Sequence, residues 1–147
     1  MSSSTDAFLL DNQLCFALYA ASLAMNKAYK PHLDPVGLTY PQYLVMLVLW
    51  EQNNLTVSEI GNRLFLDSGT LTPLLKRLET SGYLARQRDP KDERKVRIAL
   101  TPAGKQLKRK VSGVPHNLLQ ATQCSRKQAS ALTDTLRALR ENLEHNA

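Results

Sequence analysis

From Phe8 to His32, apolar residues recur at Leu14, Leu18, Ala21 and Met25, spacings of four, three and four that put them on one face of a predicted helix. Lys30-Pro31-His32 and Asp34-Pro35-Val36-Gly37 are expected to break it. From about Tyr40 to Glu51 the chain is apolar nearly all round (Leu44 to Trp50), the pattern of a helix buried at the centre of a domain. Two short helices follow, Val57 to Leu64 and Ser68 to Ser81, with Gly82 as a left-handed cap. Ile60 and Leu64 would face Leu71, Leu74 and Leu78, the layout of a helix-turn-helix. Pro73 removes a backbone donor and is expected to be tolerated only near the first turn of its helix.

After Gly82 the period changes from helical to alternating. Leu84–Arg88 and Lys95–Leu100 set apolar against polar positions, with Asp89-Pro-Lys-Asp-Glu-Arg94 between them, which predicts a β-hairpin with a charged tip. Beyond Thr101 the pattern is helical again, with Leu107, Val111, Val114 and Leu118 on one stripe that Gly113 and Pro115 should bend. A last helix, about Arg126 to Glu144, carries Leu132, Leu136, Leu139 and Leu143. Start signals are clear: Thr39-Tyr-Pro-Gln42, Thr56-Val-Ser-Glu59 and Ser125-Arg-Lys-Gln128 read as capping boxes, and Thr101-Pro102 as a fourth start. The fold class expected is mainly α with a small β-hairpin wing. It is a winged helix-turn-helix lobe at about 40–100, with N- and C-terminal dimerisation helices at about 8–32 and 102–145, all in one domain of 147 residues. The apolar stripes exceed what the small lobe needs, so a homodimer is expected.

Charge sharpens this picture. The net charge is +6, yet residues 76–110 hold twelve Lys or Arg against four acids, while the first 75 residues are net negative. One stretch owns the basic excess, as either a polyanion-binding surface or a solvated face. A composition of 43% hydrophobic and 22% charged residues, with no run near the roughly 18 apolar residues of a membrane span, excludes a helical membrane protein. The segment Met1 to Asp6 has no basic region before the first apolar residues, so no secretory signal is expected and the location should be cytoplasmic. Cys15 and Cys124 lie too far apart in sequence for a local chelate or a disulfide framework, leaving inert core thiols or redox-active ones; no metal and no cofactor are expected.

A helix in a major groove needs small polar and basic residues on its exposed N-terminal half. Ser68, Thr70, Thr72, Lys76 and Arg77 meet that need, although serine and threonine could simply cap the helix. On the hairpin, Arg94 could enter a narrow minor groove, Arg86 and Lys95 add positive charge, and Asp92 could brace a neighbour such as Arg86.

The run Asp67-Ser-Gly-Thr-Leu-Thr-Pro-Leu-Leu-Lys-Arg-Leu-Glu79, then Gly82-Tyr-Leu and Arg88-Asp-Pro-Lys-Asp-Glu-Arg94, resembles the MarR family of regulators. Leu14-Cys15-Phe16-Ala17-Leu18-Tyr19 and the run from Leu38 to Trp50 are similar to its organic hydroperoxide resistance regulators. The resemblance spans nearly the whole chain and weakens in the last helices. It implies that Cys15 is a peroxide-sensing thiol, hydrogen-bonded in the reduced form by Tyr29 and Tyr40, one from each subunit, and that Cys124 closes an intersubunit disulfide after oxidation. Tyr19, one turn beyond Cys15, could wall the same pocket. The residues alone favour Cys15 as a small core hydrophobe, the usual role of a free cysteine on an amphipathic helix, and only the resemblance points the other way.

These readings combine into a homodimeric repressor that binds double-stranded operator DNA and is released by organic hydroperoxides. Two other readings stand beside it: a repressor released by a small aromatic ligand, and a thiol peroxidase using Cys15, the latter opposed by the missing local base.

Overall fold

Side-chain caps fix where the helices begin. The Thr39 hydroxyl accepts the Gln42 amide at 3.4 Å while the Gln42 side chain accepts the Thr39 amide at 2.9 Å. Thr56 with Glu59 and Ser125 with Gln128 make the same reciprocal exchange, and the Thr101 hydroxyl accepts the Gly104 amide at 3.1 Å. The computed structural model describes residues 6–146. Its elements are α1 (Leu14–Leu33), α2 (Tyr40–Glu51), β1 (Leu55–Thr56), α3 (Val57–Leu64), α4 (Ser68–Thr80), β2 (Leu84–Arg88), β3 (Val96–Leu100), α5 (Pro102–Lys110), α6 (Val114–Thr122) and α7 (Arg126–Asn146).

The elements fall into two compact units that divide between Ser112 and Gly113. In the first, α2 packs against α1, α3, α4 and α5, and Val45, Met46 and Leu49 are sealed from solvent. Ile60 of α3 meets the same core, as do Leu71, Leu75 and Leu78 of α4 and Ile98 of β3. This is the expected helix-turn-helix followed by its hairpin, with β2 and β3 in register from Leu84–Leu100 to Arg88–Val96. The second unit holds α6 and α7; Val114 and Leu118 are buried, whereas α7 buries none of its residues and exposes Leu132, Leu136 and Leu143. No helix among the described residues is long and apolar enough to cross a membrane.

Several expectations need correction. Helix α1 starts at Leu14 rather than near Phe8, because the Gln13 side chain donates to the carbonyls of Ala7 and Leu9 and holds the preceding residues in 3-10 turns. At its other end α1 stops at the buried Leu33, one residue past the expected His32, before Gly37 turns the chain at a φ of 72°. Pro73 sits in the second turn of α4 without breaking it, since Leu71, Leu75 and Leu78 anchor the helix on either side. At Gly113 and Pro115 the chain breaks into two helices instead of bending one. A third strand, β1, pairs with β3 through Leu55–Ile98 and Thr56–Arg97. The predicted face of α1 stays uncovered within the chain: Leu14 is 67% exposed, and Leu18 and Met25 are exposed as well.

At the base of the hairpin the backbone comes very close. Thr101 donates its amide to the Tyr83 carbonyl at 3.1 Å, and the Trp50 indole donates to the Gly104 carbonyl at 2.9 Å. A Cβ at residue 104 would overlap the Tyr83 carbonyl oxygen. Gly104→Ala should therefore lower stability by about 1–3 kcal/mol despite alanine's better helix propensity, read as a lower urea midpoint with an unchanged slope.

Candidate nucleic-acid interface and sensor pocket

Helix α4 owes its start to Asp67, whose carboxylate accepts the Thr70 amide at 2.7 Å. That bond, with the further amide of Gly69, holds the Asp67 carboxyl below its ordinary range. Ser68, Thr70, Lys76 and Arg77 are exposed on α4, opposite the buried leucines. Thr72 is half-buried, and its hydroxyl donates back to the Ser68 carbonyl at 2.6 Å, which leaves its oxygen lone pairs and methyl for any outside contact. Lys76 and Arg77 also line an open groove of about 460 Å³ that α4 forms with Gly37, Thr39 and Gln42.

The hairpin carries its own acids as braces. Arg94 projects from the tip with its side chain 91% exposed, held by Asp92 at 3.1 Å, and Asp92 also accepts the Arg94 amide. The expected Asp92–Arg86 pair does not form: Arg86 instead meets Glu79 near the end of α4 at 3.2 Å. Residues two apart on a tight tip reach one another more easily than residues at opposite ends of the hairpin. Asp89, with only 8% of its side chain exposed, accepts the Lys91 amide at 2.8 Å and Arg97 at 2.9 Å. Arg97 in turn donates to the Asn54 carbonyl at 3.1 Å, beside β1. The Lys91 amide and then Arg97 hold the Asp89 carboxyl below its usual range, and Arg94 does the same for Asp92. Lys95 stands exposed just before β3. The bracing residues Glu79, Asp89 and Arg97 escaped the sequence reading, and the register that puts Arg97 opposite Gln87 and Thr56 was the signal available for the last.

The tyrosines gather at the junction of α1 and α2. The rings of Tyr29 and Tyr40 are 4.5 Å apart, Tyr43 lies 5.7 Å from Tyr29, and Trp50 continues the series at 6.4 Å. Burial, then the neighbouring Tyr40 and Tyr43, pushes the Tyr29 hydroxyl up to about 12. Burial raises Tyr40 and Tyr43 as well. All three therefore stay neutral donors at any physiological pH. Tyr29 and Tyr40 line a cavity of about 230 Å³ with Leu33 and Leu38, with Lys30 and Asp34 paired across 3.1 Å at its wall.

Cys15 is exposed in the first turn of α1, and Tyr19 is 61% exposed one turn on. Fourteen steps of continuous helix carry the chain from Cys15 to Tyr29, about 21 Å at ~1.5 Å per residue. Within one chain the structure thus brings Tyr29 and Tyr40 together and keeps Cys15 and Tyr19 away from them. This differs from the expected division of one tyrosine per subunit. Cys124, in the second unit, is half-buried between α6 and α7, its amide donating to the Thr122 hydroxyl at 3.2 Å.

Known proteins are similar to this chain in sequence and in fold. A family model described as transcriptional regulator SarA/Rot matches residues 27–111. The chain is 54% identical to the HTH-type transcriptional regulator TtmR of Methylorubrum extorquens, over 94% of this chain and 71% of that one. It is 48% identical to the organic hydroperoxide resistance transcriptional regulator of Bacillus subtilis, over 97% of both. Among solved structures, the reduced, DNA-bound form of AbfR, a Staphylococcus epidermidis protein, is similar with a TM-score of 0.80 and 38% identity, covering 92% of this chain and 93% of that one. The disulfide form of AbfR, at the same identity, covers 92% of this chain and 90% of that one and gives a TM-score of 0.62.

The raised tyrosines make one prediction. In an alkaline titration followed by tyrosinate absorbance, Tyr29, Tyr40 and Tyr43 should ionise above the ordinary 10.0, Tyr29 last at about 12. Because the fold favours the neutral hydroxyl, this contribution to stability is complete below pH 10 and is lost as pH rises toward 12. Tyr29→Phe should abolish the last step; a step near 12 that survives would assign it elsewhere.

Proposed function

Since the chain belongs to the MarR-type winged-helix family of transcriptional regulators that includes the organic hydroperoxide resistance regulators, we propose that it is a peroxide-sensing repressor, a cytoplasmic homodimer released from operator DNA by oxidation of Cys15. The tyrosine pair carries the reading. Its two hydroxyls are held neutral in a cavity about 21 Å along the helix from the same chain's Cys15, so the thiol they serve is a second subunit's. A dimer that covers the exposed apolar face of α1 would bring that thiol in, and two hydroxyl donors would stabilise its thiolate.

The chemistry is a two-electron oxidation followed by condensation. The Cys15 thiolate attacks an oxygen of the organic hydroperoxide, the O–O bond breaks, and the alcohol leaves after taking up a proton, so that Cys15 becomes a sulfenic acid. The Cys124 thiolate of the other subunit then attacks that sulfur; hydroxide leaves, takes up the thiol's proton as water, and a disulfide remains. Closing it requires the two Cα atoms to come within about 7 Å, so helices must move if the reduced thiols lie farther apart. AbfR is known bound to DNA both when reduced and when overoxidised, and separately in a disulfide form. That overoxidised AbfR is known on DNA supports a disulfide, rather than further oxidised sulfur, as the releasing event proposed here.

On the DNA side, Ser68, Thr70 and Thr72 of α4 read base edges, Arg94 enters the minor groove, and Lys76, Arg77, Arg86 and Lys95 meet phosphates. Two copies of α4 must stand about 34 Å apart to reach successive major grooves, so rotation of the dimer arms lowers affinity without removing any contact residue. A second reading draws on the 230 Å³ cavity, whose apolar wall suits a small aromatic inducer, its Lys30 being already paired with Asp34.

Two experiments test this function. Cys15→Ser should hold operator DNA after hydroperoxide treatment, and on non-reducing gels both Cys15→Ser and Cys124→Ser should lack the covalent dimer that the native protein forms; release of the serine variant would refute thiol sensing, and release by a phenolic acid alone would favour the aromatic inducer. Arg94→Ala should weaken DNA binding by about 1–3 kcal/mol and flatten its salt dependence, whereas an unchanged salt slope would remove Arg94 from the interface.

A further inference from the structure

Tyr83 occupies a junction that neither the thiol chemistry nor the DNA contacts account for. Its hydroxyl donates to the Val36 carbonyl at 3.0 Å, across 47 residues of sequence. Val36 ends the 3-10 turn Asp34–Val36 that joins α1, with Tyr29, to α2, with Tyr40, and Leu33, Asp34 and Leu38 around this turn line the tyrosine cavity. The backbone of Tyr83 belongs to the other side. Its amide donates to the Leu78 carbonyl at 3.0 Å and closes the last turn of α4, while its carbonyl accepts the Thr101 amide at 3.1 Å and abuts Gly104. Strand β2 starts at the next residue. One side chain thus fastens the turn beside the tyrosine cavity to the point where the recognition helix ends, the hairpin begins and α5 is capped.

We propose that Tyr83 is a positioning residue that couples the tyrosine cavity to the DNA-reading elements, an inference that rests on the peroxide-sensing function above. A shift of the Asp34–Val36 turn by about an ångström would carry the 3.0 Å bond out of hydrogen-bonding range unless Tyr83 follows. Its amide and carbonyl are both bonded, and its carbonyl is packed against Gly104. A small shift can be followed by rotation of the ring alone; a larger one reaches the last turn of α4 and the base of the hairpin, because the backbone of Tyr83 is bonded on both sides. A contact of this kind transmits a signal if it is made in one state and lost or redirected in the other, and the coupling then runs equally in both directions.

The test uses Tyr83→Phe in the full-length protein, which removes one oxygen and leaves the ring. Operator dissociation constants are measured for fully reduced and hydroperoxide-treated protein, with Cys15 oxidation followed in the same samples by non-reducing electrophoresis and mass. The reduced variant should bind like the native protein and oxidise normally, while the ratio of oxidised to reduced dissociation constants falls about fivefold, the equilibrium value of one ordinary hydrogen bond. A merely structural tyrosine would weaken both states alike and leave the ratio unchanged, and that result overturns the proposal while the sensing function stands. If the native protein is not released by hydroperoxide, the sensing function fails, and amide exchange decides the coupling without any oxidant. Operator DNA should slow exchange at the Gly37 amide, bonded to Asp34, in the native protein and not in Tyr83→Phe. Equal protection in both proteins refutes the coupling.

Discussion

Burial of most of α2, with Val45, Met46 and Leu49 shut off from water and Pro41, Leu47 and Glu51 left exposed, obliges the rest of the first unit to assemble around that one helix. Its two ends consequently carry different tasks. The Thr39 cap sets the phase at which Tyr40 leaves the helix toward Tyr29, and Trp50 at the far end holds α5 through the Gly104 carbonyl. The tyrosine cavity and the foot of the hairpin are therefore two ends of a single rod, close enough in the fold for one tyrosine to bond across between them.

Local chemistry was the legible part. Hydroxyl and carboxamide caps act over three residues, so Thr39, Thr56 and Ser125 announced their helices correctly, and Gly82 its left-handed turn. The change of period after Gly82 gave β2 and β3 with their bounds almost intact. Strand β1 was not legible, since two residues carry no period and Leu55–Thr56 pair only because β3 passes beside them. Pro31 and Pro73 both lie inside helices whose C-terminal ends were read to within a residue; a proline costs one local hydrogen bond, and the packing that outweighs it, around Leu33 or Leu71 and Leu75, comes from distant segments.

The candidate site divides in the same way. Exposed Ser68, Thr70, Lys76 and Arg77 follow from helix phase once α4 is placed. Which acid meets which arginine on the hairpin does not follow, because Asp92, Asp89 and Glu79 each had several candidates within reach, and only the turn geometry selects Arg94, Arg97 and Arg86. Tyr29 and Tyr40 were named through family likeness, whereas their place in one chain, with Tyr43 as a third member, required coordinates.

The brace between Asp92 and Arg94 has a bearing on discrimination. An arginine that starts with a carboxylate partner gains from a phosphate-lined groove only the difference between two anions, not the full attraction of a cation arriving from water. Ordinary duplex offers little advantage over Asp92, while a narrow, strongly negative groove offers more. With Arg94 in the minor groove as proposed, the acid at the tip would trade indiscriminate stickiness for a threshold, and groove shape would decide which stretches of duplex cross it.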